Sequence, residues 1–152
     1  MNSIQHFIGG KIINGVSKKT SKVYNPATGE KTAEVNLASK TDVDLAVEQA
    51  KKAFDDWSKK PPAQRARVIF KFKDLIEKNS DEITKIIVSE HGKVYEDAKG
   101  SLTRGLEVVE FACGIPQVLK GEFSENVGTN VDSWSIRQPL GVVAGITPFN
   151  FP

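Results

Sequence analysis

An α/β fold is predicted by three observations. The first stretch of the chain carries short period-2 segments broken by Gly and Pro turns. From about residue 41 the period lengthens to that of amphipathic helices, repeated in succession. The chain then returns to strands, ending in the apolar run Gly141-Val142-Val143-Ala144-Gly145-Ile146, bounded by glycine and proline. Such a run reads as a buried strand. A buried strand carrying a polar residue at its C-terminal end is where open α/β sheets place ligands. Here that residue is Asn150, within Phe149-Asn150-Phe151-Pro152. The strand has no partner of its own kind nearby in sequence, so the chain is expected to be the front part of a larger enzyme.

Each element has its own signal. Phe7-Ile8-Gly9-Gly10-Lys11-Ile12-Ile13 predicts two short strands around a Gly-Gly turn. Lys22-Val23-Tyr24 predicts a strand that enters the turn Asn25-Pro26-Ala27-Thr28-Gly29-Glu30. The return strand runs from Lys31 to Leu37, alternating Thr32, Glu34 and Asn36 with Ala33, Val35 and Leu37. Together these form a small antiparallel β unit. The Asn25 to Gly29 loop is read as turn chemistry rather than a ligand loop.

Four helices follow. Thr41 with Asp44 reads as a capping box. Val43, Ala46, Val47, Ala50, Phe54 and Trp57 recur at helical spacing, and Pro61-Pro62 ends that helix and starts the next. Val68, Ile69, Phe72, Leu75 and Ile76 stripe the second helix, which ends at Asn79-Ser80. Ile83, Ile86 and Ile87 belong to a third, stopped at Gly92. The fourth is expected from about Val94 to Leu119, with Pro116 near its end. Residues 121–128 read as a loop, and residues 130–138 as an alternating strand.

Composition sets limits on function. The chain is 39% hydrophobic and 26% charged, which argues against disorder and against a membrane protein. The net charge is +2 with both signs interspersed, so no segregated basic face invites nucleic acid. The single cysteine forbids an intramolecular disulfide and points to a reducing, cytoplasmic setting. The N-terminal residues lack the basic and apolar regions of a signal peptide, and no apolar run approaches a membrane span.

Few residues could carry chemistry. Cys113 lies in the apolar stretch Val109-Glu110-Phe111-Ala112-Cys113 and reads as a small core residue rather than a nucleophile. His6, in a fraying N-terminus, and His91, in a turn, lack metal-ligand spacing, so no metal site is expected. The common glycine-rich phosphate motifs are absent. Arg104 interrupts the fourth helix beside Gly105. It is either a surface residue whose stem covers apolar neighbours or a buried arginine facing a carboxylate. Asn150 is either an oxyanion donor or a turn former. The residues alone leave both pairs open.

Six segments taken together resemble the N-terminal part of an aldehyde dehydrogenase. They are Tyr24-Asn25-Pro26-Ala27-Thr28-Gly29-Glu30, Ala53-Phe54-Asp55-Asp56-Trp57-Ser58, Pro62-Ala63-Gln64-Arg65-Ala66-Arg67 and Ser89-Glu90-His91-Gly92-Lys93, then Arg137-Gln138-Pro139-Leu140-Gly141-Val142-Val143 and Pro148-Phe149-Asn150-Phe151-Pro152. Within the family, residues 104–114 and 147–152 resemble the methylmalonate-semialdehyde branch, which is acylating and uses coenzyme A. Many other branches have tryptophan where Phe149 stands.

The resemblance implies a small β unit, helices, an oligomerisation-type strand near 130–138 and the first strand of a Rossmann-like cofactor domain. Residues 1–152 would be an incomplete part of that cofactor-binding domain, with the catalytic domain absent. It also implies NAD as cofactor, coenzyme A as co-substrate and a homotetrameric or homodimeric parent. By resemblance, Asn150 donates its amide to the oxyanion and Arg104 faces the substrate carboxylate. The backbone of Ile146, Thr147, Pro148 and Phe149 lies along the nicotinamide. The family's nucleophilic cysteine matches nothing here, so the 152 residues alone are expected to be inactive. A non-acylating branch and a non-catalytic interaction domain are the other readings.

Overall fold

The computed structural model describes residues 2–152. Strands β1 (Asn2–Ile4), β2 (His6–Ile8), β3 (Lys11–Ile13), β4 (Thr20–Tyr24) and β5 (Lys31–Asn36) come first. Helices α1 (Lys40–Trp57), α2 (Pro62–Lys78), α3 (Ser80–His91), α4 (Tyr95–Cys113) and the short α5 (Ile115–Val118) follow, then strands β6 (Phe123–Gly128) and β7 (Val131–Trp134). The α/β class expected from the sequence holds.

The β unit differs from the expectation in one respect. β2 and β3 form the predicted hairpin, with Phe7 opposite Ile12. β4 and β5 are antiparallel, but β1 adds to β5 in parallel, so the three-stranded sheet is mixed. Residues 2–4 carry no alternation long enough to mark a strand, so only tertiary pairing reveals them. The same pairing places His6 in β2 rather than in a frayed end. The turn between β4 and β5 satisfies itself. Asn25 Oδ1 accepts from the Ala27 amide at 2.9 Å, and its carbonyl accepts from the Gly29 amide at 2.8 Å. Gly29 takes φ 72°, which a side chain would resist. Turn chemistry accounts for these bonds.

Helix α1 begins two residues earlier than the expected cap at Thr41 implies. Its cap is Ser39 and the reciprocal residue is Asp42, not Thr41 and Asp44. Asp44 instead receives Lys40 at 2.6 Å. Asp42 is buried, and it ties the helix start to the β unit. Its carboxylate accepts from the Ser39 hydroxyl at 2.7 Å, the Ser39 amide at 2.8 Å and the Val16 amide at 2.8 Å. These bonds, the Ser39 hydroxyl foremost, hold its carboxyl down at about 2. Because the folded value lies below the ordinary 3.8, folding favours the ionised form. The stabilisation is complete above about pH 4 and fades as the pH falls towards 2. In acid titrations followed by circular dichroism, the advantage of the parent over Asp42→Asn should shrink below about pH 4 and vanish near 2. A constant gap across that window would show that the ionised carboxylate is not the stabilising species.

Helices α2, α3 and α4 pack on one another. Lys73 of α2 bridges Glu77 at 2.5 Å and Glu110 of α4 at 3.3 Å. The buried residues are mostly small, Ala66, Ala98, Ser101 and Cys113, joined by Thr84 and Ile87. Small side chains let helix axes approach closely, and Cys113 takes its place as one of them, as expected. The predicted fourth helix is divided. It stops at Gly114, and α5 restarts with Pro116 in its first turn. Proline is tolerated there because the amide it lacks would have no intrahelical partner.

Residues 121–128 are not a plain loop. β6 pairs with β7 as a hairpin, turned through Asn130 at φ 59°. The foot is pinned by Ser135, whose amide donates to the Glu122 carbonyl at 2.9 Å and whose hydroxyl accepts from the Glu122 amide at 3.0 Å. A β-carbon on Gly121 would fall 1.8 Å from the Ser135 carbonyl oxygen, so only glycine fits the crossing. β7 ends at Trp134, short of the predicted 138. Every residue of the hairpin is exposed.

The final apolar run, expected to be a buried strand, forms no strand and has no ladder partner among the described residues. Leu140 is 94% exposed and Ile146 fully so. A strand's apolar side chains are buried only when neighbouring strands and covering helices surround them, and no such strand stands beside this run.

Candidate functional site

The candidate site is built from two parts, the first half of α4 and the end of the chain. Helix α3 closes on Gly92, whose amide donates to the Val88 carbonyl at 2.9 Å and whose φ of 81° then takes the chain out of the helix. That left-handed cap turns the chain abruptly, so Lys93 leaves the turn just before α4 begins. A β-carbon at Gly92 would press on Pro26 at 3.1 Å, so the β4–β5 turn sits against the same corner. Lys93 Nζ donates to Ser101 Oγ at 2.9 Å, one turn into the buried side of α4. Tyr95 donates to Asp81 at 2.7 Å, and Asp81 also pairs with Lys85 at 2.6 Å. The Lys85 ammonium and then the Tyr95 hydroxyl lower the Asp81 carboxyl's pKa. The start of α4 is thereby fixed on α3.

Arg104 lies two turns further along α4 and is exposed. Of the two arrangements open at the sequence level, the buried one facing a carboxylate is not formed. No ion pair involves Arg104 among the described residues. Its guanidinium carbon lies 5.3 Å from the centre of the Phe151 ring, and Lys93 Nζ lies 4.3 Å from the same centre. Both distances suit attraction between a cation and an aromatic ring. Phe151 follows Asn150 directly, so the ring brings Asn150 to the end of the molecule that presents Arg104.

The other expected site residues are placed but not enclosed. Thr147 and Pro148 are exposed, and Phe149 is 90% exposed. Asn150 sits in a turn and is exposed. No hydrogen bond to another element occupies the backbone of residues 146–149 among the described residues, so their amides and carbonyls stand open. A cleft of about 550 Å³ lies instead between α1 and Leu140, Gly141 and Val142. None of the expected site residues lines it, so it is a gap between α1 and that stretch rather than part of this site. Cys113 is buried within α4, away from any open surface, and cannot meet a substrate there. Two residues at the site, Lys93 and Phe151, escaped assignment from sequence. The one local signal was Lys93's position immediately after a helix-stopping glycine.

Comparison with known proteins follows the same outline. The sequence profile described as the aldehyde dehydrogenase family matches residues 12–152. A malonate-semialdehyde dehydrogenase of Pseudomonas aeruginosa is 50% identical over the whole chain, which covers 30% of that protein. A Sinorhizobium meliloti 1021 structure solved in complex with NAD, assigned as a methylmalonate-semialdehyde dehydrogenase, superposes with a TM-score of 0.95 at 50% identity. It is matched by 100% of this chain and 31% of its own. A methylmalonate-semialdehyde dehydrogenase from Oceanimonas doudoroffii superposes at 0.94 with 52% identity, over 99% of this chain and 31% of that one. The chain thus spans about three tenths of the length of these relatives.

Proposed function

This chain belongs to the aldehyde dehydrogenase family, and on that premise we propose that it is the first part of an NAD-dependent, coenzyme-A-acylating dehydrogenase of malonate or methylmalonate semialdehyde. The observation that supports the reading is the placement of Arg104 5.3 Å from the ring of Phe151, the residue next to Asn150. A semialdehyde of this class presents two groups at once. Its carboxylate needs a cation, and a guanidinium offers two parallel donors to it. Its aldehyde oxygen becomes an oxyanion when a nucleophile attacks, and a fixed amide N–H stabilises that charge.

The chain's own residues divide these tasks. Arg104 holds the carboxylate and so orients the aldehyde. Asn150 donates its side-chain amide to the developing oxyanion. The strap of Ile146, Thr147, Pro148 and Phe149 offers unpaired backbone groups and no bulky cover, which fits the flat face of a nicotinamide. When bound, NAD supplies the acceptor for the aldehyde hydride, and coenzyme A supplies the thiol that takes the acyl group. The thiolate that attacks the aldehyde comes from a segment outside these 152 residues, since Cys113 is sealed in α4. Carbon dioxide leaves from the carboxylate that Arg104 had held.

In the complete enzyme, NADH formation from malonate semialdehyde should turn over only when coenzyme A is present, with an acyl-thioester product. The 152-residue polypeptide alone should form no NADH. Sustained turnover to the free acid without coenzyme A would assign the chain to a non-acylating branch. The exposed β6–β7 hairpin suits an assembly strand, and the complete enzyme is proposed to be a homodimer or homotetramer.

A further inference from the structure

We propose that Lys93 is a second cation for the substrate carboxylate, set beside Arg104 by the ring of Phe151. The two cations lie within 4.3 Å and 5.3 Å of one ring centre. An aromatic ring attracts a cation through its quadrupole, a weak field beside a full anionic charge. Two like charges near one ring have no anion between them among the described residues, and a carboxylate reaching both would be attracted by each.

Both groups have donors to spare. Lys93 carries three N–H donors and gives one to Ser101. Arg104 carries five, and no carboxylate stands within ion-pair distance of either residue among the described residues. The ion pairs on these helices are made by other lysines, Lys40, Lys52, Lys73 and Lys85. Lys93 is also held in place. Its backbone leaves a left-handed glycine cap, and its ammonium is tethered to buried Ser101. A tethered ammonium loses less freedom on binding an anion than a free surface lysine does.

The ligand class follows from the geometry of the reading. A short 3-oxo acid has its carboxylate one carbon away from the aldehyde. Asn150 would address the aldehyde oxygen, while Arg104 and Lys93, both near the Phe151 ring, share the carboxylate. The inference rests on the assignment of Arg104 to the carboxylate.

The test compares malonate semialdehyde with propanal, its uncharged counterpart of equal length, in the complete enzyme. The readout is the ratio of the two kcat/KM values, which does not depend on the folded fraction. Lys93→Met should lower that ratio about tenfold, the loss of one charge-assisted hydrogen bond. Lys93→Arg should restore most of it, and Ser101→Ala should lower it less than Lys93→Met does. Equal losses for both aldehydes in Lys93→Met would make Lys93 an anchor of α4 and overturn the inference. If Arg104→Met lowers the ratio and Lys93→Met leaves it unchanged, this inference falls and the Arg104 assignment stands. If neither moves it, both fall.

Discussion

Asn150→Ala in the complete enzyme is expected to lower kcat by about 10²–10³-fold, the usual cost of losing one oxyanion donor, with the KM for the aldehyde little changed. The split follows from when the bond forms. The aldehyde oxygen carries little charge in the ground state and a full charge after nucleophilic attack, so an amide aimed at it stabilises mainly the transition state. The competing explanation is that Asn150 is a turn former between two aromatics, in the turn where the chain places it. Turns accept asparagine, aspartate and glycine alike. Asn150→Asp and Asn150→Gly therefore separate the two. A turn role predicts that both variants keep parental kcat. An oxyanion donor predicts that both lose it, the aspartate more severely because it places negative charge beside negative charge. Retained affinity for NAD in the same variants would show that the strap of residues 146–149 is undisturbed. A parental kcat in Asn150→Gly would end the assignment.

What the sequence makes legible here depends on how local each cause is. Helix α1 is readable because Val43, Ala46, Val47, Ala50, Phe54 and Trp57 repeat within one segment, and the stop at Gly92 is readable because only a left-handed cap needs glycine. The cap lies at Ser39, two residues before Thr41, and sequence does not distinguish them because Thr41 with Asp44 offers the same side-chain chemistry. Only the amide of Val16, which lies 26 residues earlier and is bound by Asp42, selects the true register. β1 is invisible for the same reason, because its parallel partner lies about thirty residues downstream. The break at Gly114 had a local signal in Pro116, but the two helices on either side share one apolar character that hides the seam. At the site, Arg104 and Asn150 drew notice by residue type and gained weight by resemblance. That a phenylalanine would gather Arg104 and Lys93 depends on how the chain end folds back over α4, which no spacing encodes.

The 152-residue polypeptide, made alone, is expected to self-associate, eluting well above its 16.7 kDa mass and binding an apolar dye strongly. The folded chain exposes 11970 Å². A compact monomer of this mass exposes about 7,600 Å², so roughly 4,300 Å² is in excess. Many large apolar side chains are exposed in two regions. One is the hairpin of β6 and β7, with Phe123 65%, Val127 59% and Trp134 68% exposed on free strand edges. The other is the terminal run, where Leu140, Val143, Ile146 and Phe149 project into solvent. A net charge of only +2 supplies little repulsion to keep such surfaces apart. Paired strand edges and apolar contact both favour association, so dilution should break the oligomers more readily in low-salt urea than in sulfate, which strengthens apolar contact. The complete enzyme should not bind the dye in proportion, because further chain would pair the run and cover the helices' open faces. A monodisperse 16.7 kDa species without dye binding would show that these residues close on themselves. It would then favour a free-standing interaction domain over the first part of a dehydrogenase.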